Sequence, residues 1–134
     1  MKRWYKLLSL LLLGIVSCTS LKSQTSNFKH QTILLTGDIL LDRGVRQEIE
    51  QHGVDALFTP EIDSLFAASD VVVGNLECPA TDIRTPASKL YVFRAEPEWL
   101  DVLKQHGITH LNLANNHTVD QRRGGLRSTY DNCL

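Results

Sequence analysis

The chain has 134 residues, 43% of them hydrophobic and 22% charged, with a formal net charge of −1. That composition excludes wholesale disorder and a fibrous repeat, and the length suits one domain of ordinary size rather than two. No basic excess is present to neutralise phosphates, so a dedicated nucleic-acid binder is excluded as well.

The charge is unevenly spread. Lys2, Arg3 and Lys6 form a positive start, and Leu7 to Val16 is an apolar run interrupted by one Ser and one Gly. A bilayer-spanning helix needs about 20 apolar residues, so this run reads as the core of a secretory signal and not as a permanent span. It ends Ile15-Val16-Ser17-Cys18, which resembles the bacterial lipobox. That resemblance implies a leader over residues 1–17 and a diacylglycerol on the Cys18 sulfur, holding the exported protein on a membrane of the bacterial cell envelope. Each buried methylene contributes about 0.8 kcal/mol, so several acyl chains anchor a protein stably. The competing reading is an ordinary secretory signal with an incidental Cys. Residues 18–30 are rich in Ser, Thr, Gln and Lys and read as a flexible tether with a reach of about 20 Å. Once Lys2, Arg3 and Lys6 are set aside, 11 basic and 15 acidic residues remain, a net of −4.

From residue 31 onward strands and helices alternate. Thr32 to Thr36 is short, branched and apolar, and reads as a buried strand. A helix is expected from Arg43 to His52, with Leu41, Val45 and Ile49 one turn apart and Gly53 as the stop. Thr59-Pro60 matches an N-cap followed by Pro at the first helical position, and Ile62, Leu65 and Phe66 form that helix's apolar stripe. Val71 to Val73 reads as a second buried strand. Thr81 to Lys89 is a polar loop, and Tyr91 to Arg94 has the composition of a short strand. A helix over Pro97 to His106 presents Trp99, Val102 and Leu103, and a strand follows over Ile108 to Leu113. Leu126, Thr129, Tyr130 and Cys133 have helical spacing and predict a last core-facing helix. Of the cysteines, Cys78 and Cys133 lack a CxxC arrangement, and Cys133 reads as a buried thiol rather than half of a disulfide.

This alternation implies parallel βαβ units, in which ligands bind beyond the carboxyl ends of the strands. After the first strand comes Gly37-Asp38. After the second come Gly74, Asn75 and Glu77. After the third come Asn115, Asn116 and His117, then Asp120. Carboxylate and amide oxygens with one imidazole make a hard-to-borderline ligand set, suited to Mn, Fe, Mg or Zn. Each group alone also has a plain reading as a turn, a cap or a solvated loop residue. Among the other histidines, His52 and His106 sit near helix ends where they complement the dipole, and His110 reads as packed or hydrogen-bonded within its strand.

The ordered set GD, DVVVGNLE and LANNH, with a downstream Asp, Gly-Leu and Thr, resembles the capsule-synthesis CapA family. That family is linked to poly-γ-glutamate production and falls in the calcineurin-like metallophosphoesterase superfamily. The resemblance runs from about Ile33 to the last residue. It implies a layered α/β fold of the metallophosphoesterase type and a site for two divalent metal ions on the carboxyl edge of the sheet. By the same resemblance Asp38, Glu77 and Asn116 are metal ligands, with Asn75, Asn115 and Asp120 in support. His117 lies near the transferred phosphoryl group, donating a proton or stabilising developing charge. Two features depart from the family. Arg122 stands two residues after Asp120 where the family often has Gly, and the superfamily's later histidine motifs are absent. The final helix also stops without a Gly or polar cap. Residues 31–134 are therefore expected to form the amino-terminal part of a CapA-like domain whose carboxy-terminal part is missing. Two alternatives remain: a non-catalytic polymer-handling component of a capsule or polyanion machine, and an inactive truncated fragment.

Overall fold

The computed structural model describes residues 30–134. The leader, Cys18 and nearly all of the tether lie outside the described residues. Three parallel strands form one sheet in the order β1-β2-β3. They are β1 (Ile33–Ile39), β2 (Val71–Leu76) and β3 (His110–Asn112). Between β1 and β2 run α1 (Gly44–His52), a 3₁₀ turn (Val54–Leu57) and α2 (Pro60–Ala67), and α3 (Trp99–Gln105) precedes β3. Helix α4 (Arg122–Asn132) closes the described chain. No helix among the described residues is long and apolar enough to cross a membrane.

Local signals account for the element ends. Gly53 has φ 83, and its N–H reaches Ile49 O at 2.7 Å, closing α1. Thr59 Oγ1 accepts from Ile62 N at 3.4 Å, and Pro60 occupies the first position of α2. All the helices before β3 pack on one face of the sheet, where Val72, Leu76, Leu41, Ile49, Phe66 and Leu103 are buried. Strand β2 alternates half-buried and buried along its length, as a strand covered on one side must.

One-sided cover corrects several expectations. Thr32 to Thr36 does not form a fully buried strand, because Ile33 and Leu35 face away from the helices and are 62% and 73% exposed. Both outer strands also differ in length from expectation. Strand β1 continues to Ile39, and β3 shrinks to three residues because Ile108 and Leu113 join the core outside the ladder. Tyr91 to Arg94 is not a strand. Only Ala80 and Ala95 form a bridge there, and the backbone N–H groups of Phe93 and Arg94 are taken by the Asp120 and Asp42 carboxylates. Leu65 is exposed on α2. On α4 the buried positions are Gly125 and Thr129, whereas Tyr130 and Cys133 are exposed. That helix therefore packs by small residues. An added Cβ at Gly125 would lie 2.3 Å from Gln121 Cβ and 3.6 Å from Thr81 Cγ2. Cys78 is buried and free, and burial pushes its thiol up to about 12.

His106 does more than complement a helix end. It is stacked on Phe58, with ring centroids 4.0 Å apart. Its Nδ1 lies 2.7 Å from Asp63 Oδ1 and its Nε2 lies 3.2 Å from Asp55 Oδ1. The imidazole thereby ties α3 to α2 and the 3₁₀ turn. The hydrogen bond to Asp63, then that to Asp55, raises the His106 pKa above its ordinary value. A raised folded-state pKa gives stability that is fully present below the unfolded value of about 6.5 and is lost as pH rises through the folded value. Urea unfolding measured from about pH 5 to pH 9 is expected to show this loss in the wild type and not in His106→Gln. Parallel pH curves for the two proteins would contradict the pairing.

Candidate metal-binding and catalytic site

Strand register brings the site together. Leu35 pairs with Val73, but Asp38 pairs with Asn75, so β1 spends three steps where β2 spends two. The extra residue is a β-bulge, and Gly37 with φ 83 sits within it. Without it, Asp38 would face the helices. With it, Asp38 lies on the open face of the sheet beside Asn75, and Asn112 of β3 pairs with Asn75 from the other side.

Asn75 is the hub of the resulting cluster. Its Nδ2 donates to Asp38 Oδ1 at 2.7 Å and to Glu77 Oε2 at 2.6 Å. Its Oδ1 accepts from Asn112 Nδ2 at 2.7 Å and from Asn115 Nδ2 at 3.1 Å. Asn115 also donates to Leu76 O at 2.9 Å, while its own Oδ1 accepts from His117 N at 2.9 Å. One amide thus separates two carboxylates and links all three strand ends.

A second group adjoins the first. His117 Nδ1 lies 2.8 Å from Asp120 Oδ2, and its Nε2 points toward the cluster, 3.9 Å from Glu77 Oε1. Asp120 is fully buried. Its Oδ2 also accepts from Phe93 N at 2.6 Å, and its Oδ1 meets the Lys89 ammonium as an ion pair rather than a directed hydrogen bond. Lys89 further donates to Asn116 O at 2.9 Å and lies 3.4 Å from His117 Nδ1. The Phe93 ring covers the imidazole with centroids 4.3 Å apart. The ring is held by an oriented carboxylate on one nitrogen, which leaves the other free for chemistry.

Of the residues singled out from sequence, Asp38, Asn75, Glu77, Asn115, His117 and Asp120 come together. Asn116 is exposed, and its carbonyl, not its amide, makes the recorded contact. Asn112 and Lys89 were not anticipated. Asn112 was legible in principle, because it shares the register position of Asn75 on a neighbouring strand. Lys89 lies in a loop whose course no local pattern sets. Arg122 has φ 58, so this chain adopts the left-handed backbone that glycine favours while carrying an arginine.

Two carboxylates, converging amide oxygens and one imidazole have the chemistry of a divalent-cation site. Among the described residues no three His, Cys, Asp or Glu side chains are grouped closely enough to hold an ion by themselves. The donor set fits a metal only with asparagine oxygens counted in, and Asn75 would have to turn its Oδ1 toward the carboxylates. Amide orientation follows the surrounding hydrogen bonds, so that turn is a change of partners rather than of backbone.

Residues 32–133 match the family model described as "Bacterial capsule synthesis protein PGA_cap". The chain belongs to this family. It is also similar to the "PGA biosynthesis protein CapA" of Bacillus subtilis (strain 168), at 38% identity over 95 residues, covering 69% of this chain and 25% of that protein. The "Capsule biosynthesis protein CapA" of Bacillus anthracis is 33% identical over 102 residues, covering 73% of this chain and 25% of that protein. The chain thus spans about a quarter of the length of these curated relatives. Every strand of the sheet and every residue of the cluster falls inside the PGA_cap match. The mixed α/β architecture with its parallel sheet agrees with the metallophosphoesterase-type fold expected from sequence.

The hub residue gives a direct test of the cluster. Asn75→Asp places a third carboxylate between Asp38 and Glu77 and removes the donor both use. The expected loss at neutral pH is about 1–3 kcal/mol, read as a lowered melting temperature. Like-charge crowding raises carboxylate pKa values, so the deficit should shrink toward about pH 4.5. A variant that melts like the wild type at neutral pH would remove Asn75 from its central place.

Proposed function

We propose that this PGA_cap chain is an exported capsule-biosynthesis protein whose Asp38–Asn75–Glu77–His117 cluster hydrolyses a phosphate ester with divalent metal ions. The observation that carries this reading is the convergence of two carboxylates and an Asp120-oriented imidazole at the carboxyl ends of three parallel strands. Asp38 and Glu77 are the charged ligands of this site, with the neighbouring Asn75 and Asn115 amides adding oxygen donors; Asn116 would join them only by turning its exposed side chain inward. Mn, Fe, Zn and Mg all suit these donors. A metal ion bound there supplies Lewis acidity and lowers the pKa of coordinated water. The protein's own contribution is to position and to move a proton. Asp120 fixes His117 through Nδ1, so Nε2 is presented to the cluster and can protonate a leaving oxygen. Phe93 shields one face of that ring from water, and Lys89 balances the buried Asp120 charge. A second metal would draw further ligands from outside this set.

In the same reading residues 1–17 are a lipoprotein leader, 18–30 a tether from lipidated Cys18, and 31–134 the amino-terminal part of the CapA-like domain. The names of the relatives support a place in capsule or poly-γ-glutamate synthesis, with the polyanion machinery of the envelope as partner. One observation favours the non-catalytic polymer-handling alternative. The Asn75 amide already donates to one oxygen of each carboxylate, so the two are held together by hydrogen bonds without an ion.

Two measurements decide between these readings. In the full-length, metal-loaded protein, His117→Ala is expected to lower kcat on an aryl phosphate by about 10²–10⁴ while metal content stays unchanged. Asp38→Asn should lower metal content itself. If both variants sustain wild-type polymer output, the hydrolytic role falls and the polymer-handling one takes its place. Separately, Cys18→Ser should move the protein from the membrane fraction to the soluble fraction. Retention in the membrane fraction would refute the lipid anchor.

A further inference from the structure

Arg43 is held in place by contacts that leave its charge unused. Its backbone has φ 57 and ψ −127, a conformation that costs energy for any residue bearing a side chain. Asp42 clamps it there: Oδ1 accepts from Arg43 N at 2.7 Å and Oδ2 accepts from Arg94 N at 2.8 Å. The guanidinium carbon then lies 4.8 Å from the Tyr91 ring centroid and 5.1 Å from that of Phe93. Phe93 is the ring that also packs on His117. The arginines behind it are used differently, since Arg46 and Arg94 both bind Glu96. Among the described residues the Arg43 side chain has no carboxylate partner and no hydrogen-bond acceptor, and the residue is exposed. Aromatic rings fix a guanidinium through its face, which leaves its in-plane N–H donors for an incoming group.

We propose that Arg43 binds the phosphoryl oxygens of the substrate beside the Asp38–Glu77–His117 cluster. This rests on the phosphoester reading above. Asp38 and Glu77 present negative charge to any approaching anion, so such a ligand requires a fixed cation, and the Arg43 guanidinium shares the Phe93 ring with His117 of the cluster. A planar fork suits phosphate oxygens better than a point charge does. The backbone strain supports the same assignment, because the position would be relaxed as glycine, yet an arginine occupies it.

The test is calorimetric titration of the full chain with inorganic phosphate, with and without Mn²⁺, alongside Mn²⁺ uptake. Arg43→Met is expected to weaken phosphate binding about tenfold or more, with Mn²⁺ uptake unchanged. Arg43→Lys should restore only part of the loss. Arg43→Gly relieves the strained backbone, so it should melt no lower than the wild type and still lose phosphate affinity. That variant separates binding from folding. Phosphate affinity that is unchanged in Arg43→Gly and Arg43→Met overturns the proposal and leaves Arg43 as a packing residue. Failure of the wild type to take up Mn²⁺ would instead sink the metal reading, and the metal-free titration would still decide Arg43.

Discussion

A strand side chain can face only one side of its sheet, and the site exists because β1 breaks that rule once. The additional residue between Leu35 and Asp38 turns the carboxylate from the helix-covered face to the open one. It does so without disturbing the core, because Ile39 returns to the helix side opposite Leu76. Gly74 makes the return possible. A Cβ there would come within 2.2 Å of Ile39 Cδ1, so the middle strand carries no side chain where the outer one crosses it. One insertion and one missing side chain therefore place Asp38 next to Asn75.

Behind the open face a second polar network holds the loop that completes the site. Glu96 binds Arg94 and Arg46, and the Arg94 guanidinium beside it holds its carboxyl down at about 2. Arg94 also donates to Thr81 O at 2.7 Å, and Arg46 lies over the Trp99 ring. Such a half-buried network is favourable only when nearly every member is satisfied, and here the carbonyls and carboxylates are shared among two guanidiniums. Its link to the site is two adjacent peptide groups. Phe93 N is bound by Asp120 and Arg94 N by Asp42, so a single short segment is fixed from both sides. His117, Phe93 and Arg43 inherit their positions from that segment.

Much of this was legible in the order of residues. The βαβ alternation, the Thr59-Pro60 start and the Gly53 stop follow from local chemistry, although β1 and β2 run three residues further than expected, to Ile39 and Leu76. The polar residues near the carboxyl ends of the strands, Asp38, Asn75, Glu77, Asn115, His117 and Asp120, are legible as well, though Asp38 and Asn75 lie within β1 and β2 rather than after them. What was not legible depends on contacts between distant segments. No local pattern says that Tyr91 to Arg94 gives its N–H groups to carboxylates instead of to a ladder. The bulge is equally silent, since Thr36-Gly37 reads as the end of a strand rather than as its middle. Helix α4 misled for another reason. Its spacing pointed rightly to Thr129 but also to Tyr130 and Cys133, whereas the second buried position is Gly125, where a Cβ would meet Gln121 Cβ at 2.3 Å.

Backbone strain points to the same two loops. The only described non-glycine residues with positive φ are Arg43 and Arg122. Arg43 follows the strand that bears Asp38, and Arg122 follows the turn that bears His117 and Asp120. Each is held by a neighbour, Asp42 in the first case and the Val119 carbonyl, 2.8 Å from Arg122 N, in the second. Glycine would relieve both positions. An arginine kept in a left-handed conformation costs roughly 1–2 kcal/mol, which the surrounding hydrogen bonds must offset. At Arg122 nothing in the described contacts explains why the side chain is retained. At Arg43 the two aromatic rings give the side chain a place: the guanidinium lies over Tyr91 and Phe93, and Phe93 also packs on His117, the imidazole of the cluster.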